Sequence, residues 1–340
     1  MNKFVFTCGD INGIGPEIVQ KALNRVSKLK GVKLYYLCPA EVFERISEKI
    51  APQFDYEIIN HLPGHKAEKN SRVCVINIKT GKLKLETGRP TAVSGQVSFK
   101  AIRQSFEIAS SGLCDAIVTA PISKEALGMA GIDFPGHTEM YAAWSGVKDY
   151  VMMFFSSKMK CALLTIHEPI KKVPKLITEK RIQSTLRAVV SSLRNDFNIQ
   201  YPEVAVLGLN PHAGENGRIG SEEIDTIIPA LKTSGFSEFL RGPFVPDAFF
   251  ANKLYKKYDL VLGMYHDQVL IPFKLLNFSS GVNYTAGLPI VRTSPDHGTA
   301  FDIADRFIAD EGSIMEAFHL AKKIAQNRRQ KFHGEKGQNA

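Results

Sequence analysis

Long apolar runs are what this 340-residue sequence most plainly lacks. Its first apolar stretch, residues 4–6 (Phe-Val-Phe), is far shorter than the roughly 7–20 residues that a signal peptide or a membrane span requires. No membrane partner is therefore expected. Cysteine is scarce as well: Cys8, Cys38, Cys74, Cys114 and Cys161 lie far apart, in or beside apolar runs, and none forms a C-x-x-C pair. That argues against a zinc knuckle or a disulfide framework and leaves buried, reduced thiols as the expectation, with the cytoplasm as compartment. Internal repeats, low-complexity tracts and a Pro/Gly/Ser-rich linker are also absent, so composition marks no boundary between domains.

Lys and Arg number 43 against 34 acidic residues. The excess is scattered, and only the C-terminal Lys322, Lys323, Arg328, Arg329, Lys331 and Lys336 are dense. This tail reads as a solvated, frayed helix end rather than a nucleic-acid arm. The rest of the excess suits a small anionic substrate and cofactor. Length favours two lobes, because single cores stop growing near roughly 250–300 residues. Short β-rich apolar runs at 3–8, 32–37, 73–78, 115–119, 150–155, 162–166, 204–209 and 260–264 read as strands. Between them, 16–28, 93–110, 178–196 and 221–233 carry apolar residues at helical spacing. Continuously apolar strands alternating with helices indicate an α/β sheet covered on both faces.

Four segments have residues suited to chemistry. Directly after the first strand comes Gly9-Asp10-Ile11-Asn12-Gly13-Ile14-Gly15-Pro16-Glu17. Its glycines permit a tight turn and Pro16 suits the first helical position, so it reads as a ligand-side loop or as a plain strand-to-helix turn. It is not G-x-G-x-x-G, and a Rossmann reading does not follow from it. Second, in Ile166-His167-Glu168, Asn210-Pro211-His212-Ala213-Gly214 and Met264-Tyr265-His266-Asp267 a histidine stands just past an apolar strand. Such strand ends face the ligand crevice in open α/β sheets, and three neutral imidazoles suit zinc, cobalt or iron. Each His alone reads more readily as a satisfied structural residue, the three together favour a ligand set more, and their wide spacing does not define a metal site.

Third, Gly136-His137-Thr138-Glu139 opens a helical segment, whose first N–H groups favour anions. Lys274 and Arg292 stand in apolar stretches, Ile271-Pro272-Phe273 and Pro289-Ile290-Val291. A charge there needs a partner, and an anionic substrate would be one; the plain alternatives are a solvated Lys274 and a structural ion pair at Arg292. Residues 277–289, with Asn283, are rich in Gly and small polar residues and read as a loop at a site. Fourth, Asp296-His297-Gly298-Thr299-Ala300-Phe301-Asp302-Ile303-Ala304 reads as a turn leading into a helix, with small residues that admit a flat ligand.

Together these segments resemble the 4-hydroxythreonine-4-phosphate dehydrogenase family of pyridoxal phosphate biosynthesis, over nearly the whole chain. The stretches that carry the resemblance are Gly-Leu-Asn-Pro-His-Ala-Gly-Glu (208–215), Met-Tyr-His-Asp-Gln (264–268) and Gly-Leu-Pro-Ile-Val-Arg-Thr-Ser-Pro-Asp-His-Gly-Thr-Ala (287–300). The opening loop and His-Gly-Thr-Ala-x-Asp-Ile-Ala are also similar to isocitrate and isopropylmalate dehydrogenases. The resemblance implies a two-lobed fold of that type, with α/β/α layers, mixed and mostly parallel sheets, and a cleft between lobes. It implies a cofactor-side lobe of residues 1–125 plus 272–340, and a metal, substrate and dimerisation lobe of 126–271. Metal ligands would fall on His167, His212 and His266, and substrate contacts on His137, Thr138, Asp247, Lys274, Asn283 and Arg292. Cofactor contacts would fall on His297, Gly298, Thr299, Ala300 and Asp302. Family members are homodimers that share the metal site between subunits. The first loop departs from the commoner Gly-Glu-Pro-Ala-Gly-Ile-Gly-Pro, at positions where no metal or substrate ligand is carried.

The implied reaction is oxidation of 4-phosphooxy-L-threonine at C3 by NAD or NADP. The resulting 2-amino-3-oxo acid then loses carbon dioxide to give 3-amino-2-oxopropyl phosphate. One zinc, cobalt or magnesium ion per site would assist both steps. Lys274 is the candidate proton-transfer group, with His137 as a second candidate catalytic residue. Rival readings are a dehydrogenase of erythronate or threonate 4-phosphate, a metal-dependent hydrolase or acyltransferase, and a non-catalytic sugar-phosphate binder.

Overall fold

Strands form where β-branched and aromatic residues cluster, and their burial shows how they are covered. In a computed structural model the described residues are 1–64, 71–81, 83–277 and 280–338, with side chains up to 331. Among the described residues there are twelve strands: β1 (Asn2–Thr7), β2 (Val32–Cys38), β3 (Tyr56–Ile59), β4 (Val73–Asn77), β5 (Ala116–Thr119), β6 (Val151–Phe155), β7 (Lys160–Leu163), β8 (Val204–Leu207), β9 (Leu240–Phe244), β10 (Leu260–Gly263), β11 (Val282–Ala286) and β12 (Arg292–Pro295). Eleven α-helices accompany them: α1 (Gly15–Val26), α2 (Ala40–Lys49), α3 (Ala92–Ser110), α4 (Lys124–Met129), α5 (His137–Trp144), α6 (Val173–Leu176), α7 (Glu179–Asn195), α8 (Ile228–Thr233), α9 (Pro246–Ala251), α10 (His266–Leu276) and α11 (Gly312–Gln338).

The chain divides into two compact units, residues 1–146 with 289–325 and residues 147–288 with 326–340. In the first, the strand order is β3-β4-β2-β1-β5-β12 and every pairing is parallel. All seven residues of β2 and all four of β5 are buried, as expected for strands covered on both faces. Phe318 of α11 packs edge-on against Phe4 and stacks on Phe6. Burying one such ring stabilises the fold by about 2–3 kcal/mol. In the second unit the order is β11-β6-β7-β10-β8-β9. Here β11–β6 and β6–β7 are antiparallel, and β7–β10, β10–β8 and β8–β9 are parallel. Its core holds Phe154, Leu163, Leu207, Phe249, Val261 and Phe273. The expected mixed, mostly parallel α/β architecture is therefore present. Among the described residues no helix is long and apolar enough to cross a membrane, and all five cysteines are free and buried.

Local signals explain the helix starts. Pro16 stands in the first turn of α1. Thr91 and Ser94 close a reciprocal capping box on α3, and the Thr178 hydroxyl caps α7. Four expectations are corrected. Residues 277–289 are not one loop, since β11 pairs antiparallel with β6; its small residues fit a buried strand as well as a turn. No helix follows Gly298, because residues 301–305 form turns and the next helix begins at Gly312. The helix of 221–233 opens with a π-helical stretch, Glu223–Ile227, ahead of α8. Finally, the C-terminal tail is not simply solvated. Arg328 Nε donates to the buried Asp196 carboxylate at 2.6 Å, and Lys331 donates to Asn195 at 2.8 Å. The Lys336 side chain lies outside the described residues.

Candidate active site

In the first unit the site is built around a buried cation. Arg292 opens β12, in register with Ile117 of β5, and is 2 % exposed. Its Nε and Nη2 both donate to the Thr119 hydroxyl, at 3.0 and 2.7 Å, and no carboxylate among the described residues salt-bridges it. Burial lowers its pKa from 12.5 to about 10, with Tyr141 and Glu139 opposing that shift. His137 opens α5 behind Gly136, as the sequence suggested. Its Nε2 is buried and has no hydrogen-bond partner among the described residues. Burial first, and the Arg292 charge second, hold its pKa well below 6.5, so the imidazole is neutral. Thr138 beside it is buried. A guanidinium that no carboxylate salt-bridges among the described residues, near a buried imidazole nitrogen with no bond there, is an arrangement that an oxyanion completes. Thr119 was missed by sequence reasoning, although a polar residue closing the apolar run Ala116-Ile117-Val118 was the available signal.

Close by in the same unit, the first loop backs the 296–308 segment. The Ile14 N–H donates to the Thr299 carbonyl at 3.0 Å. A Cβ on Gly13 would stand 2.6 Å from that same oxygen, so only glycine lets the two loops approach. Asp10 and Asn12, two of the three residues that depart from the commoner first-loop sequence, brace the loop from within. The Asp10 carboxylate accepts from the Asn12 N–H and the Ser94 hydroxyl, and the Asn12 amide bonds Arg89, Thr91 and Glu86. His297, Thr299 and Ala300 are half-buried, and Gly298 and Asp302 are exposed. Ala300, Asp305 and Phe307 have left-handed backbone, at φ 43°, 71° and 58°. Arg45 and Lys21 tie the segment down, Arg45 to Asp305 at 3.0 Å and Lys21 to the Phe307 and Ala309 carbonyls.

In the second unit, β7, β10 and β8 are neighbours and run parallel, so their carboxyl ends share one edge. His167, His266 and His212 follow those three ends in that order. The His167 and His266 rings lie 5.7 Å apart, centre to centre. His266 Nδ1 bonds the Asp267 carboxylate at 2.7 Å, which leaves its Nε2 as the outward nitrogen. His167 and His212 are exposed. Within one chain, among the described residues, no three His, Cys, Asp or Glu side chains converge as a metal site.

His212 sits in an unusual backbone. Residues His212, Ala213, Glu215 and Asn216 have φ of 52°, 51°, 41° and 55°, with Gly214 and Gly217 also positive, so the chain makes a left-handed turn. For L-residues this costs about 1–2 kcal/mol each, less for Asn. Such strain is kept where neighbours over-determine it, commonly at functional sites. Gln268 links this loop to the His266 turn, accepting from the Met264 N–H at 2.7 Å and donating to the Gly208 carbonyl at 2.6 Å.

Asp247 lies in the first turn of α9, which packs on the 211–217 segment, and is exposed. Asn283 on β11 has a buried, unbonded Oδ1. Lys274 corrects the sequence reading. It is exposed on α10, and its neighbours Ile271 and Leu275 are 58 % and 82 % exposed, while Phe273 alone of that run turns into the core. Adjacency in sequence suggested an apolar shell, whereas helical spacing places 271, 274 and 275 on one outward face.

A family-wide sequence profile described as "Pyridoxal phosphate biosynthetic protein PdxA" matches residues 31–321. The 4-hydroxythreonine-4-phosphate dehydrogenase of Prosthecochloris aestuarii is 38% identical over 333 residues, covering 96% of this chain and 98% of the relative. That of Aquifex aeolicus is 39% identical over 330 residues, covering 95% and 99%. Among solved structures, the crystal structure of the 4-hydroxythreonine-4-phosphate dehydrogenase from Klebsiella pneumoniae matches with a TM-score of 0.83 at 38% identity, covering 96% of this chain and 100% of that one.

Proposed function

The chain belongs to the PdxA family of pyridoxal phosphate biosynthetic proteins, and on that premise we propose that it oxidises 4-hydroxythreonine 4-phosphate with NAD or NADP. The observation that carries this reading is the buried Arg292, whose guanidinium bonds the Thr119 hydroxyl and is salt-bridged by no carboxylate among the described residues. A phosphorylated amino acid offers the oxyanion this site lacks. Arg292 would hold it with two charge-assisted bonds, the neutral His137 would donate from Nε2, and Thr138 would stand beside it. Asn283 would present its unbonded Oδ1 to the substrate's ammonium or hydroxyl, with Asp247 as a second acceptor. These contacts fix the reacting carbon, which converts binding into orientation.

The nicotinamide supplies the hydride acceptor for C3. Residues His297, Gly298, Thr299, Ala300 and Asp302 would lie near the cofactor's adenosine end, where Gly298 has open space around it and Gly13 lets the first loop back the segment. Loss of hydride and of the hydroxyl proton gives a 2-amino-3-oxo acid. Its carboxylate then leaves as carbon dioxide, the bonding pair remains as an enolate, and protonation yields 3-amino-2-oxopropyl phosphate. Lys274 is the proposed proton carrier at the C3 oxygen.

The donor set at the edge of β7, β10 and β8 fits a divalent cation such as zinc, cobalt or magnesium. Three imidazoles follow that edge, and the Asp267 carboxylate orients one of them in the manner usual for metal-bound histidine. Held by His167, His212 and His266, such an ion would supply Lewis acidity toward the C3 oxygen. As the sequence resemblance implies, the set would be shared between the subunits of a homodimer. The exposed His167, His212 and Lys274, and the outward Ile271 and Leu275, are consistent with a covered face. Five buried free thiols suit the cytoplasm.

The test is the near-ultraviolet absorbance of reduced nicotinamide, with 4-phosphooxy-L-threonine and erythronate or threonate 4-phosphate offered to one preparation. Turnover of the amino acid, lost with a chelator and restored by metal, is expected. Preference for the sugar acids would replace the substrate assignment, and unchanged activity after metal stripping would remove the metal.

A further inference from the structure

Four non-glycine residues of the 212–216 turn run against the backbone preference of L-residues, so something outside the turn must hold it. The Glu223 carboxylate is placed to do so. The residue is 1 % exposed, and both oxygens are committed to the segment that enters the turn. Oε1 accepts the N–H groups of Leu209 and Asn210 at 2.7 and 2.8 Å, and Oε2 accepts the Asn210 amide at 2.9 Å. Asn210 also donates to Glu222, at 2.7 Å. A Cβ on Gly214 would stand 2.6 Å from Glu223 Oε2, so the carboxylate fills the inner side of the turn. Glu223 opens the π-helical stretch Glu223–Ile227, and single π turns recur at functional sites.

Resting on the reading of His212 as a metal ligand, we propose that Glu223 is a positioning residue for that ligand. It holds the turn in its left-handed form, which keeps the His212 imidazole aimed for metal, and it touches neither metal nor substrate. Without the carboxylate, the turn relaxes toward right-handed backbone and His212 loses its aim.

The test is Co(II) titration of the full chain, read by the visible absorption of the cobalt–imidazole centre, with circular dichroism melts alongside. The chains compared are the parent, Glu223→Gln, Glu223→Gln with Ala213→Gly, and His212→Ala. Loss of an orienting partner weakens metal binding about 10–100-fold, so Glu223→Gln should bind Co(II) at least about tenfold more weakly while keeping a folded spectrum. Ala213→Gly removes the penalty for left-handed backbone at one position. It should therefore restore part of the affinity in the Glu223→Gln background, which a role in global stability alone would not do. Glu223→Asp keeps the charge but shortens the reach, and it measures the same loss if the Gln variant does not fold. Unchanged affinity in the Glu223 variants, or weakening without rescue, overturns the proposal while a weakened His212→Ala leaves the metal reading intact. Parent-like Co(II) binding by His212→Ala, or none by the parent, overturns the metal reading and this proposal with it.

Discussion

Replacing Arg292 with Met separates what a buried charge costs from what it is used for. The guanidinium is 2 % exposed, bonds Thr119 twice, and has a pKa lowered from 12.5 to about 10, chiefly by burial. A pKa unit corresponds to about 1.4 kcal/mol, so keeping this group charged costs the fold about 3 kcal/mol. The folded pKa is depressed, hence the cost is present at every pH below about 10 and is relieved only as pH rises through that value. Methionine removes the charge and keeps an unbranched apolar stem, and the Thr119 hydroxyl still donates to the Thr293 carbonyl at 3.3 Å. The expected stability is therefore unchanged or higher by about 1–3 kcal/mol, read as the urea midpoint at constant slope. Substrate binding goes the other way. Two hydrogen bonds from a charged donor, worth about 1.5–3 kcal/mol each, are lost, which raises KM for the phosphorylated substrate by about 100-fold to 10,000-fold. Inorganic phosphate should raise the melting temperature of the parent and leave that of the variant unmoved. If Arg292→Met instead loses several kcal/mol of stability and keeps its KM, Arg292 is a structural cation and the anion site lies elsewhere.

His137 gives a pH signature. Its folded pKa lies well below 6.5, so the unfolded chain takes up a proton that the folded chain refuses. Stability is then full above about pH 6.5 and falls as pH drops toward the folded pKa. Thermal melts between about pH 7 and pH 5 should show this step, and His137→Asn should flatten it; an unchanged slope in the variant refutes the assignment. Gly13→Ala drives a Cβ to within 2.6 Å of the Thr299 carbonyl and should displace the 296–302 segment. KM for the nicotinamide cofactor should rise about fivefold or more, with substrate KM within about twofold. An equal rise in both would mean that this segment does not seat the cofactor.

What could be read from the sequence was what repeats locally. Apolar runs fixed the positions of β1, β2, β4, β5, β6, β8 and β10 to within a residue or two, because continuous burial of a parallel strand leaves an uninterrupted apolar signature. The histidines just past the runs of β8 and β10, and past the run at 162–166 that overlaps β7, could be placed at strand ends for the same reason, and the order β7-β10-β8 puts the ends side by side. Lys274 was misjudged because adjacency in sequence is not adjacency on a helix: its apolar neighbours divide between the core side, Phe273, and solvent, Ile271 and Leu275. β11 was hidden because Gly281, Asn283, Thr285 and Gly287 weaken the apolar signature of a short strand whose partner, β6, is more than 120 residues away in the chain. The left-handed turn was the least accessible feature. Asn and His tolerate positive φ better than most residues, but Ala and Glu give no warning of it, and the group that sustains the turn, Glu223, belongs to a different element. Strain of that kind is a property of long-range partners rather than of the strained residues. The residues that set the geometry of this site are therefore harder to find in sequence than those that do its chemistry.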